Sequence, residues 1–332
     1  MSESIRLFSR DSRTYHAFRE TWHEYLSKKG YILKVSNRFE SGTVRSFLNA
    51  LLRRGDRYII FGSSEILFYL FISRKCDLWV FTGLGRLLQE GTLRSSLILL
   101  YLKLFYRQQK IIVLNENDKI IMQYIFGSNV LRISGEGYNF SRLDNKHALK
   151  IAKVKTHNPL KFCYFGRLLK SKGVENIVDA FLARQTDEVT LNLYGDFDFG
   201  NSDGIDKKYQ MILSDNNNKI EYHGHVENVA LHLAKNHVFI SLSQREGLSF
   251  SVLEALYLGL VVLLSPVAGN LEFEGLDGVY FVDEQKLPAV VQELAKHPQR
   301  FLLTSEAANS RRRALVEKFG NSSVQDELSV LF

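Results

Sequence analysis

Four side chains in the second half of the chain have the types and spacing to hold a diphosphate and the hydroxyls beside it. In YFGRLLKSKGVENI, Arg167 stands where a strand-like run ends and Lys172 just before a helix-like run. A guanidinium and an ammonium aimed at a departing diphosphate gain most as that group takes up negative charge, so they favour the transition state over the ground state. Lys170 is an alternative to Lys172. In QREGLSFSVLEALYLG, Gln244 to Gly259, Glu246 and Glu254 lie eight positions apart across a helix start expected near Ser249 to Ser251. The amides of such a start favour an anion. An ionised carboxylate on either side accepts two or more hydrogen bonds, suiting one to a sugar and the other to a ribose. A structural reading of the same residues stands beside this one. Ser251-Val-Leu-Glu254 fits a capping box, Glu246 could be a solvated loop charge, and loop cations are mostly solvated.

The elements that must position these side chains alternate in type. KFCYFG (161–166), VTLNLYG (189–195), KIEYHGHV, HVFISLS (237–243) and LVVLLSPV (260–267) are strand-like. Between them GVENIVDAFLAR (173–184), KKYQMILSD, VALHLAKN and SFSVLEALYLG are helix-like. Strict alternation predicts an α/β fold, a doubly wound parallel sheet that binds ligands beyond the carboxyl ends of its strands. The first half alternates too. IRLFSR, YILKVSN, RYIIFGS, DLWVFTG and KIIVLNE read as strands, and TYHAFRETWHEYLSKKG, VRSFLNALLRR and SSLILLYLKLFYRQQ as helices. With 332 residues, two Rossmann-like domains are expected. The junction falls near KVKTHNPLKF (153–162), giving 1–155 and 156–315, with 316–332 as a helix returning to the first domain.

Apolar residues at 45% and charged residues at 24% describe a folded chain. Cys76 and Cys163 match no disulfide or zinc pattern, which favours a reducing compartment and a cytoplasmic location. The N-terminus lacks the apolar core of a signal peptide, and the longest apolar candidate, SLILLYLKLFY, is interrupted by Lys103. A membrane-spanning segment is therefore not expected. Residues 1–155 hold 26 Lys and Arg against 13 Asp and Glu, whereas the remainder holds 17 against 23. That asymmetry predicts an anionic partner for the first half. In SSLILLYLKLFYRQQK, Lys103, Arg107 and Lys110 recur at helical spacing opposite Leu97, Leu100, Leu104 and Phe105, which suits either an anionic membrane surface or a helix packed on the sheet with its basic face in water.

Taken together, FGRLLKSKGVENIVDAF, a strand ending in YGD, and SQREGLSFSVLEALYLGLVVLLSPVAGN resemble the donor domain of retaining glycosyltransferases of the GT-B fold, family four (glycosyl transferases group 1). The likeness rests on a Gly-Arg-Leu, a Lys-Gly soon after, and two glutamates separated by seven residues, over about residues 160 to 275. It implies that Arg167 and Lys172 hold the donor diphosphate, Glu246 the transferred sugar and Glu254 the ribose. Gly166 and the backbone of Gly247, Leu248 and Ser249 would complete the pocket between the domains. The co-substrate is then a nucleotide sugar, UDP-linked by expectation, with no metal or other cofactor. Ala268-Gly269-Asn270 stands where many members have a Gly-Gly pair, so the donor loop departs from the pattern there. TGLGRLL (82–88) and Asn115 to Asp118 resemble members that build capsule, O-antigen or other lipid-linked glycans. Their acceptors imply a sugar on undecaprenyl diphosphate and a peripheral position on the inner membrane face.

Other signals point elsewhere. Asp196-Phe-Asp198 imitates a metal-binding Asp-x-Asp but follows a strand where family-four chains have a glycine-rich turn. Gly83-Leu-Gly85 lacks the third glycine of a dinucleotide fingerprint. His223 and His225 are expected within a strand, and His16 and His23 share a helix face, without companions at zinc spacing. No nucleic-acid-binding module is recognisable. The rival functions are a nucleotide-sugar epimerase, which gives no reason for the basic first half, and a non-catalytic module binding a nucleotide sugar or an anionic partner.

Overall fold

The computed structural model describes residues 4–9, 19–37, 57–62, 78–84, 93–144, 148, 159–183, 188–215 and 220–330. The helix expected in VRSFLNALLRR, the start of the helix holding His16, and Gly85 and Cys76 lie outside the described residues. The chain divides into two units, Met1–Asn139 with Lys318–Phe332, and Phe140–Glu317.

In the first unit β1 (Ser4–Ser9), β2 (Ile32–Asn37), β3 (Arg57–Phe61), β4 (Leu78–Phe81), β5 (Ile111–Val113) and β6 (Val130–Arg132) form one sheet in the order β2-β1-β3-β4-β5-β6. Every pairing is parallel. The described helices are α1 (Glu20–Lys28), α2 (Leu93–Phe105) and α3 (Glu116–Phe126). Strands covered on both faces are continuously apolar, as LWVF in β4 and IIV in β5 are, and all of those residues are buried. Trp79 anchors this core, with ring contacts to Phe81, Tyr106 and Phe126. Asn115 begins α3, its side chain accepting from the Asp118 amide at 2.8 Å while its amide donates to the Asp118 carboxylate at 2.9 Å. The Asn-x-x-Asp segment is thus a helix cap. The side of α2 turned inward carries Ser95 and Leu102, not the leucine stripe. Lys103 shares the solvent-facing half of α2 with Leu97, Leu100 and Leu104, while Arg107 and Lys110 follow the end of the helix at Phe105, correcting the opposed helical faces expected from the sequence.

The second unit contains β7 (Leu160–Phe165), α4 (Val174–Leu182), β8 (Val189–Tyr194), α5 (Lys207–Ser214), β9 (Ile220–Tyr222), α6 (Val229–Ala234) and β10 (Val238–Ser241). It continues through α7 (Phe250–Tyr257), β11 (Val261–Leu264), α8 (Ala268–Leu271), β12 (Val279–Phe281), α9 (Leu287–Lys296) and α10 (Ser305–Phe319). The parallel order is β12-β11-β10-β7-β8-β9. Counted from β7 as the first strand this is 6-5-4-1-2-3, the dinucleotide-fold order, and the connections reverse direction between β7 and β10. Arg311 of α10 ties the end of α7 to the sheet by donating to the carbonyls of Leu256, Leu260 and Asp277.

The junction lies earlier than 155. Phe140 stacks on Tyr257 with ring centroids 4.9 Å apart, and the Tyr257 hydroxyl donates to Asp144 at 2.6 Å, so residues from Phe140 onward belong to the second unit. The last helix, α11 (Asn321–Ser329), packs on the first unit. Glu327 accepts from the Ser134 amide and hydroxyl at 2.7 Å each, and Thr21 donates to Asn321 at 2.7 Å. Among the described residues no helix is long and apolar enough to cross a membrane.

Candidate active site

Open parallel sheets place their ligand crevice where the connections reverse, here beyond the carboxyl ends of β7 and β10. Gly166 and Arg167 leave β7, and Ser243 to Ser249 join β10 to α7. Two glycines let these loops close on their neighbours. Gly173, at φ 71°, ends the turn Lys170–Lys172, and a Cβ there would strike the Leu242 carbonyl. A Cβ on Gly269 would strike the Gly247 carbonyl, so Gly269 preserves the close approach at the non-standard Ala268-Gly269-Asn270.

The turn Lys170–Lys172 separates the two candidate lysines. Asp203 holds it, accepting from the Ser171 amide at 3.1 Å and from the Ser171 hydroxyl. Lys170 then points to Asp206 at 2.6 Å, a hydrogen bond that raises its pKa, while Lys172 points to the opposite loop. There Lys172 Nζ meets Glu246 Oε1 at 2.6 Å, and the Ser243 hydroxyl donates to the same oxygen at 2.7 Å. Buried Ser241 lies behind Ser243 at 3.1 Å between hydroxyl oxygens. The Gln244 amide donates to the Ser171 carbonyl at 2.8 Å, which stitches the two loops together. A cavity of about 400 Å³ opens beside them, lined by Ser243, Gln244, Ser265, Asp283 and Lys286 among others.

Arg167 is exposed and its Nη1 lies 3.3 Å from Asp198 Oδ2, which also accepts from Asn201 at 2.9 Å. Asp198 of the Asp-x-Asp is therefore a partner of the candidate diphosphate arginine. The Tyr164 hydroxyl donates to the Arg167 carbonyl at 2.8 Å. Burial first, then the Glu246 charge, hold that phenol well above its ordinary pKa, so it remains a donor.

Helix α7 starts with Ser249 as its N-cap residue, and the Ser249 side chain makes no capping hydrogen bond. Ser251 is inside the helix, so Ser251 and Glu254 do not form a capping box. Phe250, Ser251 and Glu254 share the partly open side of a helix whose remaining side chains are buried. Gly247 and Leu248 lie in the loop that precedes it. Beside Gly166, an aromatic column invisible in the sequence stacks Phe165 on Tyr194 at 4.1 Å and Tyr194 on His223 at 4.4 Å. His223 and His225 follow β9 instead of lying in it, and His223 Nε2 is 2.8 Å from Asn192 Oδ1. Burial depresses the His223 pKa, against an opposing pull from Glu221.

The geometry thus brings Lys172 and Glu246 into contact, sets Arg167 at the end of the adjacent strand, and puts Glu254 on the partly open side of the helix that follows. Residues 159–297, which hold all of these side chains, match the glycosyl transferases group 1 family. An uncharacterized glycosyltransferase of Methanocaldococcus jannaschii is 24% identical over 264 residues, covering 76% of this chain. The chain spans 62% of the length of that curated relative. Among solved structures, sucrose-phosphate synthase of Thermosynechococcus elongatus superposes with a TM-score of 0.77 at 16% identity, over 99% of this chain and 98% of the other. Anabaena HepE, solved with UDP and glucose, superposes at 0.72 with 15% identity, over 98% of each chain. The fold is GT-B, and the segment that matches the family lies within the second Rossmann-like unit.

Proposed function

We propose that the chain transfers a sugar from a nucleoside diphosphate donor, with UDP as the nucleotide, to a hydroxyl of a lipid-linked glycan, retaining the anomeric configuration. The step would belong to the assembly of a bacterial surface polysaccharide. The observation that carries the transfer reading is the contact of Lys172 with Glu246 at the point where the β7 and β10 loops diverge. In this reading Arg167 and Lys172, rather than a metal ion, carry the charge of the departing diphosphate, and Glu246 orients the sugar hydroxyls. Glu254 takes the ribose, and the backbone at Gly166, Gly247, Leu248 and Ser249 lines the donor pocket. Glu246 is assigned to binding and no protein nucleophile is invoked. The acceptor hydroxyl attacks from the face the diphosphate leaves, and a phosphate oxygen takes its proton. Glycosidases differ in flanking the scissile bond with two catalytic carboxylates.

UDP in the HepE complex supports the choice of nucleotide, and the likeness of TGLGRLL to lipid-linked glycan builders supports the acceptor class. The test is to incubate the chain with UDP-sugars and short glycans on a polyprenyl diphosphate, follow UDP release, and read the new linkage by NMR. UDP release that depends on acceptor, with the donor's anomeric configuration preserved, is expected. Inversion would sink the retaining mechanism, and donor binding without transfer would leave a non-catalytic nucleotide-sugar binder.

A further inference from the structure

We infer that the face made by α2 and α3 docks on an anionic bilayer. Leu93, Leu97, Leu100 and Leu104 recur at intervals of four, three and four, which puts them on one side of α2. That side faces solvent, with Leu93 79% and Leu104 67% exposed, and Phe105 beside it is 66% exposed. The core is built from the opposite side, through Leu102, so the fold has no need of the leucine stripe. Helix α3 extends the patch with Ile120, Ile121 and Tyr124, the last 81% exposed. Lys103 Nζ lies 4.6 Å from the Tyr124 ring centroid, tying the two helices at the surface. A monomeric protein rarely exposes so continuous an apolar patch without a partner.

Charge selects the partner. Lys103, Arg107 and Lys110 are exposed around the stripe, and no Asp or Glu occurs from Gly91 to Asn115. The next carboxylate, Glu116, is engaged by Lys119 at 3.0 Å and Arg132 at 3.1 Å. A two-fold contact between copies would bring these cations against themselves, and like charges at an interface are costly. An anionic bilayer instead takes the leucines and Phe105 into its acyl boundary and leaves the cations among headgroups. This deepens, and rests on, the lipid-linked reading of the acceptor, but the surface is testable with no acceptor present.

The full chain is floated with vesicles of phosphatidylcholine, with and without phosphatidylglycerol. Binding is expected only to the anionic vesicles, and it should weaken as salt is raised. K103Q/R107Q/K110Q should weaken it on the order of 100-fold, and L97S/L104S at least ~10-fold. Both variants should bind UDP as the wild type does, which certifies their folding. No flotation of the wild type, or equal flotation of the triple glutamine variant, overturns the inference. A wild-type dimer in sedimentation velocity that L97S/L104S dissolves would assign the face to a second copy. A chain that docks but transfers only to soluble acceptors would sink the acceptor reading and leave the docking surface standing.

Discussion

In the Glu246→Gln variant, UDP binding and sugar transfer should change in opposite directions. Glu246 Oε1 lies 2.6 Å from Lys172 Nζ and accepts from Ser243 at 2.7 Å. Glutamine keeps the length and a carbonyl for Ser243 but removes the charge. At this distance the gross attraction, with an effective dielectric near 20, is ~6 kcal/mol, most of it offset by desolvation and side-chain ordering. Lys172 is 28% exposed and Glu246 12%, which sets the pair between surface and buried examples. A net ~1–2 kcal/mol follows. A diphosphate that takes Lys172 must displace Glu246, so removing the competing carboxylate should tighten UDP by ~5–30-fold. The UDP-sugar instead loses a charged acceptor for its hydroxyls, and kcat/KM should fall ~10–100-fold. Titration calorimetry with UDP and steady-state UDP release measure the two effects. UDP affinity that is unchanged or weaker would show that Lys172 is not at the diphosphate.

Asp198→Asn should free Arg167 while preserving the hydrogen bond from Asn201. Because Arg167 is 60% exposed, the gain is small, ~1.5–5-fold in UDP affinity, and it should vanish in high salt. Tyr257→Phe keeps the ring stack on Phe140 but loses the bond to Asp144, and urea unfolding should register a loss of ~1.5–3 kcal/mol. His223 has a folded pKa depressed by burial, so the unfolded chain binds the proton more readily. Stability should be full above the ordinary histidine pKa of ~6.5 and decline as pH falls through it toward the folded value. His223→Gln should flatten that slope, and an unchanged slope would assign it to other groups.

The second unit was legible because VFIS and VVLL are continuous apolar strands between clear amphipathic helices, and their alternation dictates a parallel sheet. The three-residue strands β6 and β12 carry too little pattern to be read on their own. Arg167, Lys172, Glu246 and Glu254 could be singled out by type and order, and the structure sets Lys172 against Glu246 where the β7 and β10 loops leave the sheet. Their partners were not legible in the sequence. Asp198 and Asp203 reach Arg167 and Ser171 across more than thirty residues, through a strand order that linear spacing does not encode. Two residues decided the helix start, because with Ser249 as the N-cap residue the apparent capping box falls inside α7. The leucine stripe of α2 misled for a related reason. An apolar face usually packs inward, but Leu102 fills that role and leaves the stripe outside.

The most direct test of the donor site is a calorimetric panel of UDP, GDP and dTDP against the wild type and Glu254→Ala. UDP should bind the wild type selectively and lose affinity in the variant, as expected of a carboxylate that holds the ribose. Equal binding to both would remove Glu254 from the site, and no binding of any nucleotide to the wild type would contradict the donor site itself.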